Sequence, residues 1–437
     1  MVTVPQICDT IEHLLTAEAE AVARSSGFVQ RESKLTASAF LQTLVFGWMA
    51  DPDASMSQLT TMAAMRGVEI SAQGLEQRFT LGAVRLARHI LEQAVASAFA
   101  CDPVAVELLG RFRAVRFQDS TVVRLPDAWA ESFPSCGGST GAPASSLKLQ
   151  VELDLLRGTI LGPHFQAGRD GDLPLLEPHE GAEDGELIVR DRGYWSTGLL
   201  SSVDGAGAYF ISYYQTKTNL YDGEAGERID LLRLLSGSAS RFDLPVRLSA
   251  KHRVACRLVG VRVSEAVAAL RRERLAEYER KQGRTASALQ VAMTRWSVAV
   301  TNAPVEELSL TEALVLLRAR WQMEILFKIW KSEVGLDHSR SGKPARVLCE
   351  VVVKLLIGLI EHWVVLTSAW AVPERSLTKA AKSIRLVASA LAVAFDSRTQ
   401  FRARVAKLAS TIARTCRVTK RGANPSSAQL LLSLSRA

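Results

Sequence analysis

The stretch "AVRFQDSTVVRL", residues 114–125, alternates apolar and polar side chains with a period of two. This period is typical of a β-strand, whose successive side chains point to opposite faces of a sheet. Asp119 falls on the same face as Val115, Phe117 and Val123. A carboxylate on an apolar face needs a cation or hydrogen-bond donors, because burying an unpaired charge is costly. Asp119 is therefore a candidate functional residue.

Other segments of the chain show the same alternation or are short apolar runs bounded by turn residues. A charged segment, "EAVAALRRERLAEYERK" (265–281), predicts a helix among them. The pattern as a whole predicts an α/β protein. The remaining predicted strands are "LKLQVELDLLRG" (147–158), "TILGPHFQAG" (159–168), "ELIVRDRGYWS" (186–196), "AYFISYYQ" (208–215), "LPVRLSA" (244–250), "RVACRLVGVRV" (253–263) and "TRWSVAVTNA" (294–303).

The segment 186–196 carries a second candidate carboxylate. Asp191 shares a face with Leu187 and Val189 and stands where the apolar run ends. Residues at strand ends are well placed to reach a ligand at the edge of a sheet. Asp191 is therefore the second candidate.

A third carboxylate lies in "LLRARWQMEILFKIWKSEVG" (316–335), which predicts one enclosed helix with apolar residues over most of its surface. Arg320, Glu324, Lys328 and Lys331 are spaced so that they form one polar ridge. The ridge either contains intrahelical salt bridges, which contribute a few tenths of a kcal/mol each, or faces a cleft or a partner.

Asp119, Asp191 and Glu324 together suggest a site for divalent metal. Carboxylate oxygens that converge on Mg²⁺ leave positions for water and phosphate oxygens, which is the arrangement used in phosphodiester chemistry. Each carboxylate taken singly could equally form a structural ion pair.

Other candidate metal ligands are less convincing. The six cysteines are scattered without a C-x-x-C spacing, which indicates neither a zinc site nor a disulfide framework. The seven histidines show no ligand spacing. In "GRDGDLP", Asp170 and Asp172 could resemble a metal loop, but a turn is favoured, with Asp172 as the N-cap of a short helix, "DLPLLEPH" (172–179).

The formal charge of +8 over 437 residues is concentrated at the C-terminus. The segment 371–437 contains 13 lysines and arginines against two acidic residues, so the first 370 residues are slightly acidic. Such a segment attracts phosphate backbones, although a solvated basic face would look similar. With 48% hydrophobic residues, the chain is neither disordered nor fibrous.

The most apolar segment is "VLCEVVVKLLIGLIEHWVVLTSAW" (347–370). Glu350, Lys354, Glu361 and His362 interrupt it and would be costly at the centre of a bilayer, so we predict a buried helix. The N-terminus lacks a basic region followed by an apolar core and does not predict a signal peptide. We expect a cytoplasmic protein, associated with the nucleoid if it binds DNA.

The first hundred residues predict helices. The segment "SMSQLTTMAAMRG" (55–67) begins at a plausible N-cap, Ser55, and ends at Gly67. The following segment, 68–80, predicts a turn and a short helix capped by Ser71. These are the parts of a helix-turn-helix, although an ordinary helical hairpin has the same pattern.

The tail segment "RTQFRARVAKLASTIARTCRVTKR" (398–421) predicts an amphipathic helix. Its basic face could contact phosphates, and its apolar face could pack on the protein's own core or on a second protomer. The apolar residues at helical spacing are Phe401, Val405, Leu408, Ile412 and Cys416.

With these residues identified, the sequence resembles the insertion-sequence transposases of the D-D-E type, specifically the insertion-sequence-four family. That family has the signature Y-(2)-R-(3)-E-(6)-K around its third acid, and here leucine replaces the tyrosine. Asp119 in "DST" and Asp191 in "DRGY" stand in contexts common in the family. The positions at the signature spacing are Leu317, Arg320, Glu324 and Lys331.

The resemblance implies an RNase H-like catalytic core, a mixed sheet with flanking helices, interrupted by a β-rich insertion. It also implies a helical N-terminal domain and a basic helical C-terminal tail. The expected boundaries are 1–105 for the helical DNA-binding domain, 106–215 for the first part of the core with Asp119 and Asp191, 216–303 for the insertion, 304–370 for the second part with Glu324, and 371–437 for the tail.

The resemblance further implies cut-and-paste DNA transposition by hydrolysis and strand transfer. Asp119, Asp191 and Glu324 would hold two Mg²⁺ ions, for which Mn²⁺ could substitute. The expected partners are double-stranded DNA, as terminal inverted repeats and as target, and a second protomer in the DNA complex, with no membrane. The expected DNA-binding residues are Arg320, Lys328, Lys331, Tyr194 and Trp296, the last of which either stacks on a flipped base or is a core residue.

Two alternatives remain at this point. A domesticated or inactive descendant would bind DNA without cutting it, which the presence of all three acids argues against. A stand-alone RNase H-like nuclease would degrade nucleic acid without strand transfer, and the basic tail and helical front favour assembly on specific DNA ends instead.

Overall fold

The computed structural model describes residues 2–31, 34–137, 144–171, 181–418, 425 and 427–434. The predicted helix at 172–179 and its N-cap Asp172 lie outside these residues. The chain divides into two compact units. The first unit consists of Met1–Ala105, Ser120–Asp170 and Gln322–Pro425, and the second of Val106–Asp119, Gly171–Trp321 and Ser426–Ala437.

Strands occur at every position where the alternation predicts them, together with a short additional strand, β6. Their bounds are β1 Val115–Leu125, β2 Ser145–Asp154, β3 Ile160–Ala167, β4 Leu187–Arg190, β5 Tyr209–Tyr213, β6 Leu220–Asp222, β7 Arg241–Leu248, β8 Val254–Arg262 and β9 Trp296–Thr301.

Helices precede, separate and follow the strands. The α-helices of the described residues are α1 Val4–His13, α2 Ala19–Ala21, α3 Ala37–Ala50, α4 Met56–Met65, α5 Ala72–Glu76, α6 Leu81–Ala96, α7 Glu107–Gly110, α8 Thr197–Gly205, α9 Leu231–Gly237, α10 Glu265–Lys281, α11 Ala288–Met293, α12 Leu310–Ala319, α13 Trp321–Ser332, α14 Pro344–Leu366, α15 Leu377–Ala394, α16 Arg398–Thr415 and α17 Ser427–Leu434. A π-helical turn, Leu14–Glu18, joins α1 to α2, and 3-10 turns lie at Asp127–Trp129 and Arg192–Tyr194.

The nine strands form one mixed sheet in the order β3-β2-β1-β4-β5-β9-β8-β7-β6. Strand β4 pairs in parallel with both β1 and β5. The β2–β3 pair and the run from β5 through β9, β8 and β7 to β6 are antiparallel. The predicted α/β class is therefore confirmed.

The core of the second unit lies between its strands and the helices α8, α9 and α11. Phe210, Leu258 and Val300 are almost completely buried in it, since they occupy the inward positions of their strands. Trp296 and Phe242 belong to the same cluster, with ring centroids 5.3 Å apart. Alternation in the sequence thus marks which residues of these strands form the core.

The core of the first unit is built around α14, whose apolar residues are buried on all sides. Two of its charged residues form hydrogen bonds inside the protein: Glu350 accepts one from Arg346 at 2.9 Å, and Lys354 Nζ donates to the carbonyls of Gly335 and His338 at 3.0 and 2.7 Å. The prediction of a buried helix here is confirmed. Within the described part of the chain, no helix combines the length and apolarity needed to cross a bilayer.

The predicted start and stop signals of the N-terminal helices are found in α4 and α5. Ser55 caps α4 through a capping box with Gln58. The chain turns at Gly67, which has a φ of +74° that favours glycine, and Ser71 caps α5. Helix α5 has five residues, so the second helix of the predicted helix-turn-helix is a little more than one turn.

Helix α16 is amphipathic as predicted and packs within the first unit. Its buried face includes Phe401 and Val405, and it contacts α15 and α1. On its other side Arg398 and Arg402 pair with Asp9 of α1. Of the two partners predicted for the apolar face, the structure shows the protein's own core.

The predicted single helix over 316–335 is interrupted. Arg320 is a turn residue between α12 and α13. Trp321, expected to help enclose the helix, is 57% exposed. No glycine or proline stands at this point to signal a break, so the pattern could not have placed it.

Candidate active site

The parallel pairing of β1 and β4 determines where the first two acidic candidates lie. Gln118 of β1 is in register with Arg190 of β4, so Asp119 and Asp191, each the next residue, follow at neighbouring positions. Strands pair about 4.8 Å apart, and residues directly opposite in a parallel pair point to the same face. The pairing of Phe117 with Val189 on the apolar face therefore places both carboxylates on one face.

The environment of the two carboxylates is less enclosed than the sequence indicates. The Asp119 side chain is 19% exposed, and Asp191 is also partly exposed. Asp191 stands in an extended conformation at the N-terminus of the 3-10 turn Arg192–Tyr194, and within that described turn its side chain makes no capping hydrogen bond. A carboxylate that is partly exposed beyond the end of a strand can reach a ligand from solvent.

Arg320 is a direct partner of Asp119. Its Nη1 donates to Asp119 Oδ2 at 2.6 Å, and the two side chains are 17% and 19% exposed. Both residues belong to the second unit. A short bond between ionised groups is among the strongest hydrogen bonds in proteins. The sequence paired Arg320 with Glu324 on one helix and did not anticipate this contact, which joins residues 201 positions apart.

Glu324 and the two lysines of the signature region lie on α13, in the first unit. Glu324 is half-buried and Lys328 is exposed. Lys331 Nζ donates to the backbone carbonyl of Val122 in β1 at 3.0 Å. One predicted phosphate-binding amine is therefore bound to the backbone, while Lys328 is open to solvent.

The two aromatic candidates are buried. Trp296 is 3% exposed and packs on Phe242, and Tyr194 is also 3% exposed. A base can stack only on an exposed ring face. The burial of Trp296 favours the core interpretation that the sequence had left open, and the DNA contacts of both residues stay predictions.

A cleft of about 530 Å³ in the second unit is lined by Asp191, Arg192 and Tyr213 and by residues of α10, α11 and β9. Arg271 of α10 is held in its wall, donating to the Trp296 carbonyl at 2.9 Å and to Ser297 Oγ at 3.2 Å. Burial lowers the pKa of the Arg271 guanidinium, which nevertheless stays charged near neutral pH. Of the other residues that line the cleft, Arg192 has its Cζ 5.6 Å from the centroid of the Tyr213 ring.

Sequence reasoning missed these two arginines. Helix α10 contains charges of both signs, so nothing in its pattern separates Arg271 from Arg272 or Arg274. Only the fold identifies the one whose guanidinium reaches β9.

The donor set at the ends of β1 and β4 suits a hard divalent cation. Mg²⁺ takes oxygen ligands and is usually held by one or two carboxylates, with waters and substrate phosphates at its other positions. Asp119 and Asp191 supply such a pair, and the Arg320 guanidinium already places positive charge on Asp119 Oδ2. In the part of the chain that the structure describes, no group of three or more His, Cys, Asp or Glu side chains could hold a metal ion.

Comparison with known proteins identifies one matching family and several similar transposases. The transposase DDE domain family matches residues 110–359. The transposase for insertion sequence element IS231F of Bacillus thuringiensis subsp. israelensis is 27% identical over 80% of this chain and 77% of its own length. The transposase for IS231B of Bacillus thuringiensis subsp. berliner is 27% identical over 79% and 76%. The transposase for IS1151 of Clostridium perfringens is 25% identical over 80% and 78%.

The matched region of the family includes every strand of the sheet and the candidates Asp119, Asp191 and Glu324. It extends over more than half of the chain. This protein therefore belongs to the transposase DDE domain family.

Proposed function

We propose that this DDE transposase excises an insertion sequence by cut-and-paste transposition, hydrolysing phosphodiester bonds at the element's ends and joining the freed ends to target DNA. The observation that carries the proposal is the β1–β4 register, which brings Asp119 and Asp191 to one face at neighbouring positions. Both residues lie in the region that matches the DDE domain.

The strand order supports assigning an RNase H-like core. In β3-β2-β1-β4-β5, an antiparallel β2–β3 pair flanks β1, and β1, β4 and β5 run parallel. The first acid lies on the first strand and the second follows the fourth, as the resemblance implies. Strands β6 to β9 extend the sheet beyond β5 and correspond to the proposed insertion.

Membership of the insertion-sequence-four family rests on the spacing of Arg320, Glu324 and Lys331. Leu317, in place of the signature tyrosine, is 3% exposed. The buried aliphatic side chain at this position contributes to packing in α12.

Asp119 and Asp191, with Glu324 as the third acid, would hold the metal. Two Mg²⁺ or Mn²⁺ ions bound there would lower the pKa of the attacking water or 3′-hydroxyl and offset the charge that develops at the scissile phosphate. The rigid parallel pairing of β1 and β4 would keep two of the carboxylates in a constant mutual position. Preorganised charge of this kind is a large contribution to catalysis.

The predicted cations Arg320, Lys328 and Lys331 would bind the phosphate backbone. Lys328 is exposed and available for a phosphate contact. Arg320 and Lys331 hold protein oxygens in the DNA-free chain and would exchange them for phosphate oxygens. Tyr194 and Trp296 are buried, so a direct DNA contact by either ring would require local opening.

The proposed partners are the terminal inverted repeats of the element, the target DNA and a second protomer. Holding two DNA ends together is a task suited to a dimer. Since the proposed substrate is chromosomal DNA, the protein would act in the cytoplasm at the nucleoid.

The test uses purified protein, Mg²⁺ and DNA carrying the terminal repeats of the encoding element. Three variants each remove the charge of one proposed metal ligand at almost constant size: Asp119→Asn, Asp191→Asn and Glu324→Gln. Each should lower the rate of cleavage by at least about a hundredfold, while binding to the end DNA persists. Glu131→Gln, at an exposed acidic residue outside the proposed site, is the matched control and should cleave normally.

The assignment of a residue is wrong if its variant cleaves at the wild-type rate. If the wild-type protein binds the ends with Mg²⁺ present and never cleaves them, the chain is a DNA-binding descendant. Cleavage without joining to a target would indicate a nuclease.

A further inference from the structure

We propose that Arg320 prevents metal binding at Asp119 in the DNA-free protein, so that metal and DNA bind cooperatively. The inference rests on the proposed function, because it takes Asp119 as a metal ligand. It goes further by making the metal affinity of the site depend on whether phosphate is present.

The Asp119–Arg320 ion pair is short and largely shielded from water. Nη1 lies 2.6 Å from Oδ2, and more than four-fifths of each side chain is buried. Screening by solvent is weak for such a pair compared with an exposed one. A divalent cation that approached Asp119 would meet a fixed positive charge at ligand distance and would be repelled by it.

The geometry of the metal adds a second conflict. Mg²⁺ requires nearly octahedral oxygen coordination at about 2.0–2.1 Å. The guanidinium occupies one lone-pair direction of Asp119 Oδ2 and therefore competes with a metal ion for that oxygen.

DNA provides the anion that can remove Arg320 from Asp119. A guanidinium matches the geometry of a phosphate at least as well as that of a carboxylate, with parallel N–H donors. Arg320 lies in the turn between α12 and α13, and its long side chain can change partner while the helices stay in place. Phosphate binding would therefore release Asp119 Oδ2 from the guanidinium and remove its charge from the metal site.

The coupling is reciprocal by thermodynamic necessity: DNA raises the metal affinity by the same factor by which metal raises the DNA affinity. A factor of about ten is typical of such couplings. The transposase would then hold its full metal complement chiefly when bound to DNA, which limits unwanted hydrolysis.

The test measures binding of Mn²⁺ to the full-length protein from the electron paramagnetic resonance signal of the free ion, with and without a short DNA duplex. Wild-type protein should bind Mn²⁺ about tenfold more tightly with duplex. Arg320→Ala should bind it more tightly than wild type without DNA and should lose most of the dependence on duplex. Arg318→Ala, at an exposed arginine of α12, is the charge-matched control and should behave as wild type.

Asp119→Asn separates the two levels of the argument. If this variant binds Mn²⁺ as wild type does with duplex present, Asp119 is not a ligand and the proposed metal site fails with the coupling. If Asp119→Asn lowers Mn²⁺ binding with duplex but Arg320→Ala leaves binding without duplex unchanged or weaker, the site stands and the blocking role of Arg320 is overturned. Arg320→Gln, which retains the length of the side chain, replaces the alanine variant if circular dichroism shows that the latter is unfolded.

Discussion

At the scale of single residues, the chemistry of this transposase depends on which partner each charged group finds. Asp119 and Asp191 each follow a residue of the Gln118–Arg190 pair, and Asp119 accepts a hydrogen bond from Arg320. Lys331 bonds a backbone carbonyl of β1. These two cations of the candidate site are thus engaged with the protein itself when DNA is absent, and their transfer to phosphate is the event on which the proposed mechanism depends.

A different buried acidic residue, Glu361, permits a prediction about how the stability of the protein depends on pH. Glu361 lies in the core helix α14, and its Oε2 has no hydrogen-bond partner among the described residues. Burial raises the pKa of this carboxyl to about 8, an effect that nearby Arg385 opposes and Glu333 reinforces. The folded state therefore keeps a proton that the unfolded chain releases near pH 4.5. Stability from this group is complete below that pH and falls by roughly 1.4 kcal/mol per pH unit until the folded-state value is passed.

Glu361→Gln removes this titration at nearly constant volume. Thermal unfolding should be followed at several pH values. The stability of the variant relative to the wild type should increase as the pH rises from about 5 to about 9. Glu374→Gln, at an exposed acidic residue, should track the wild type throughout. Parallel curves for Glu361→Gln and wild type would mean that Glu361 ionises normally in the folded protein.

At the scale of elements, the cations of helix α16 fall into two groups: some form ion pairs with the protein, and others are exposed to solvent. Arg398 and Arg402 pair with Asp9, while Arg404, Lys407 and Arg414 are exposed. The latter three are therefore available to DNA phosphates.

Replacing Arg404, Lys407 and Arg414 together by glutamine should weaken DNA binding. It should also make the plot of log K against log salt concentration less steep, because the magnitude of its negative slope falls by about 0.9 for each phosphate that the helix no longer neutralises. Fluorescence anisotropy with a labelled duplex at several salt concentrations measures that slope. The same reduction of charge on α10, through Arg274, Arg280 and Lys281, controls for net charge. An unchanged slope in the α16 variant would show that this helix does not contact DNA.

At the scale of the whole molecule, helices α15 and α16 belong to the same compact unit as the N-terminal helices. Helix α15 contacts α3, and α16 contacts α1 and α14. Burial of one large apolar side chain contributes about 1.5–3 kcal/mol, and α16 alone buries five residues: Phe401, Val405, Leu408, Ala409 and Ile412.

Removing residues 371–437 should therefore destabilise the first unit rather than merely reduce its charge. We expect limited proteolysis to cleave the truncated protein rapidly within residues 1–105 while the full chain resists. If the truncated protein is as resistant as the full chain, the tail is dispensable for folding, and its effect on DNA binding can be attributed to charge.

The sequence by itself determined the features that depend on local pattern. Alternation placed the strands, apolar residues on all sides identified α14 as a buried helix, and helical spacing identified the inner face of α16. The α/β class followed from these elements, and the resemblance to D-D-E transposases is consistent with the family that the comparison shows. Local patterns suffice here because each element has to bury one face, and the period of the apolar residues records which face it is.

Tertiary structure alone decided how the charged residues pair. The β1–β4 register brought Asp119 and Asp191 to the positions directly after paired residues, and folding brought Arg320 to a carboxylate 201 residues away. It also buried Trp296 and turned Trp321 outward. These outcomes depend on contacts between distant parts of the chain, and an ion pair gains most where folding shields both groups from water. A one-dimensional pattern contains no measure of that shielding.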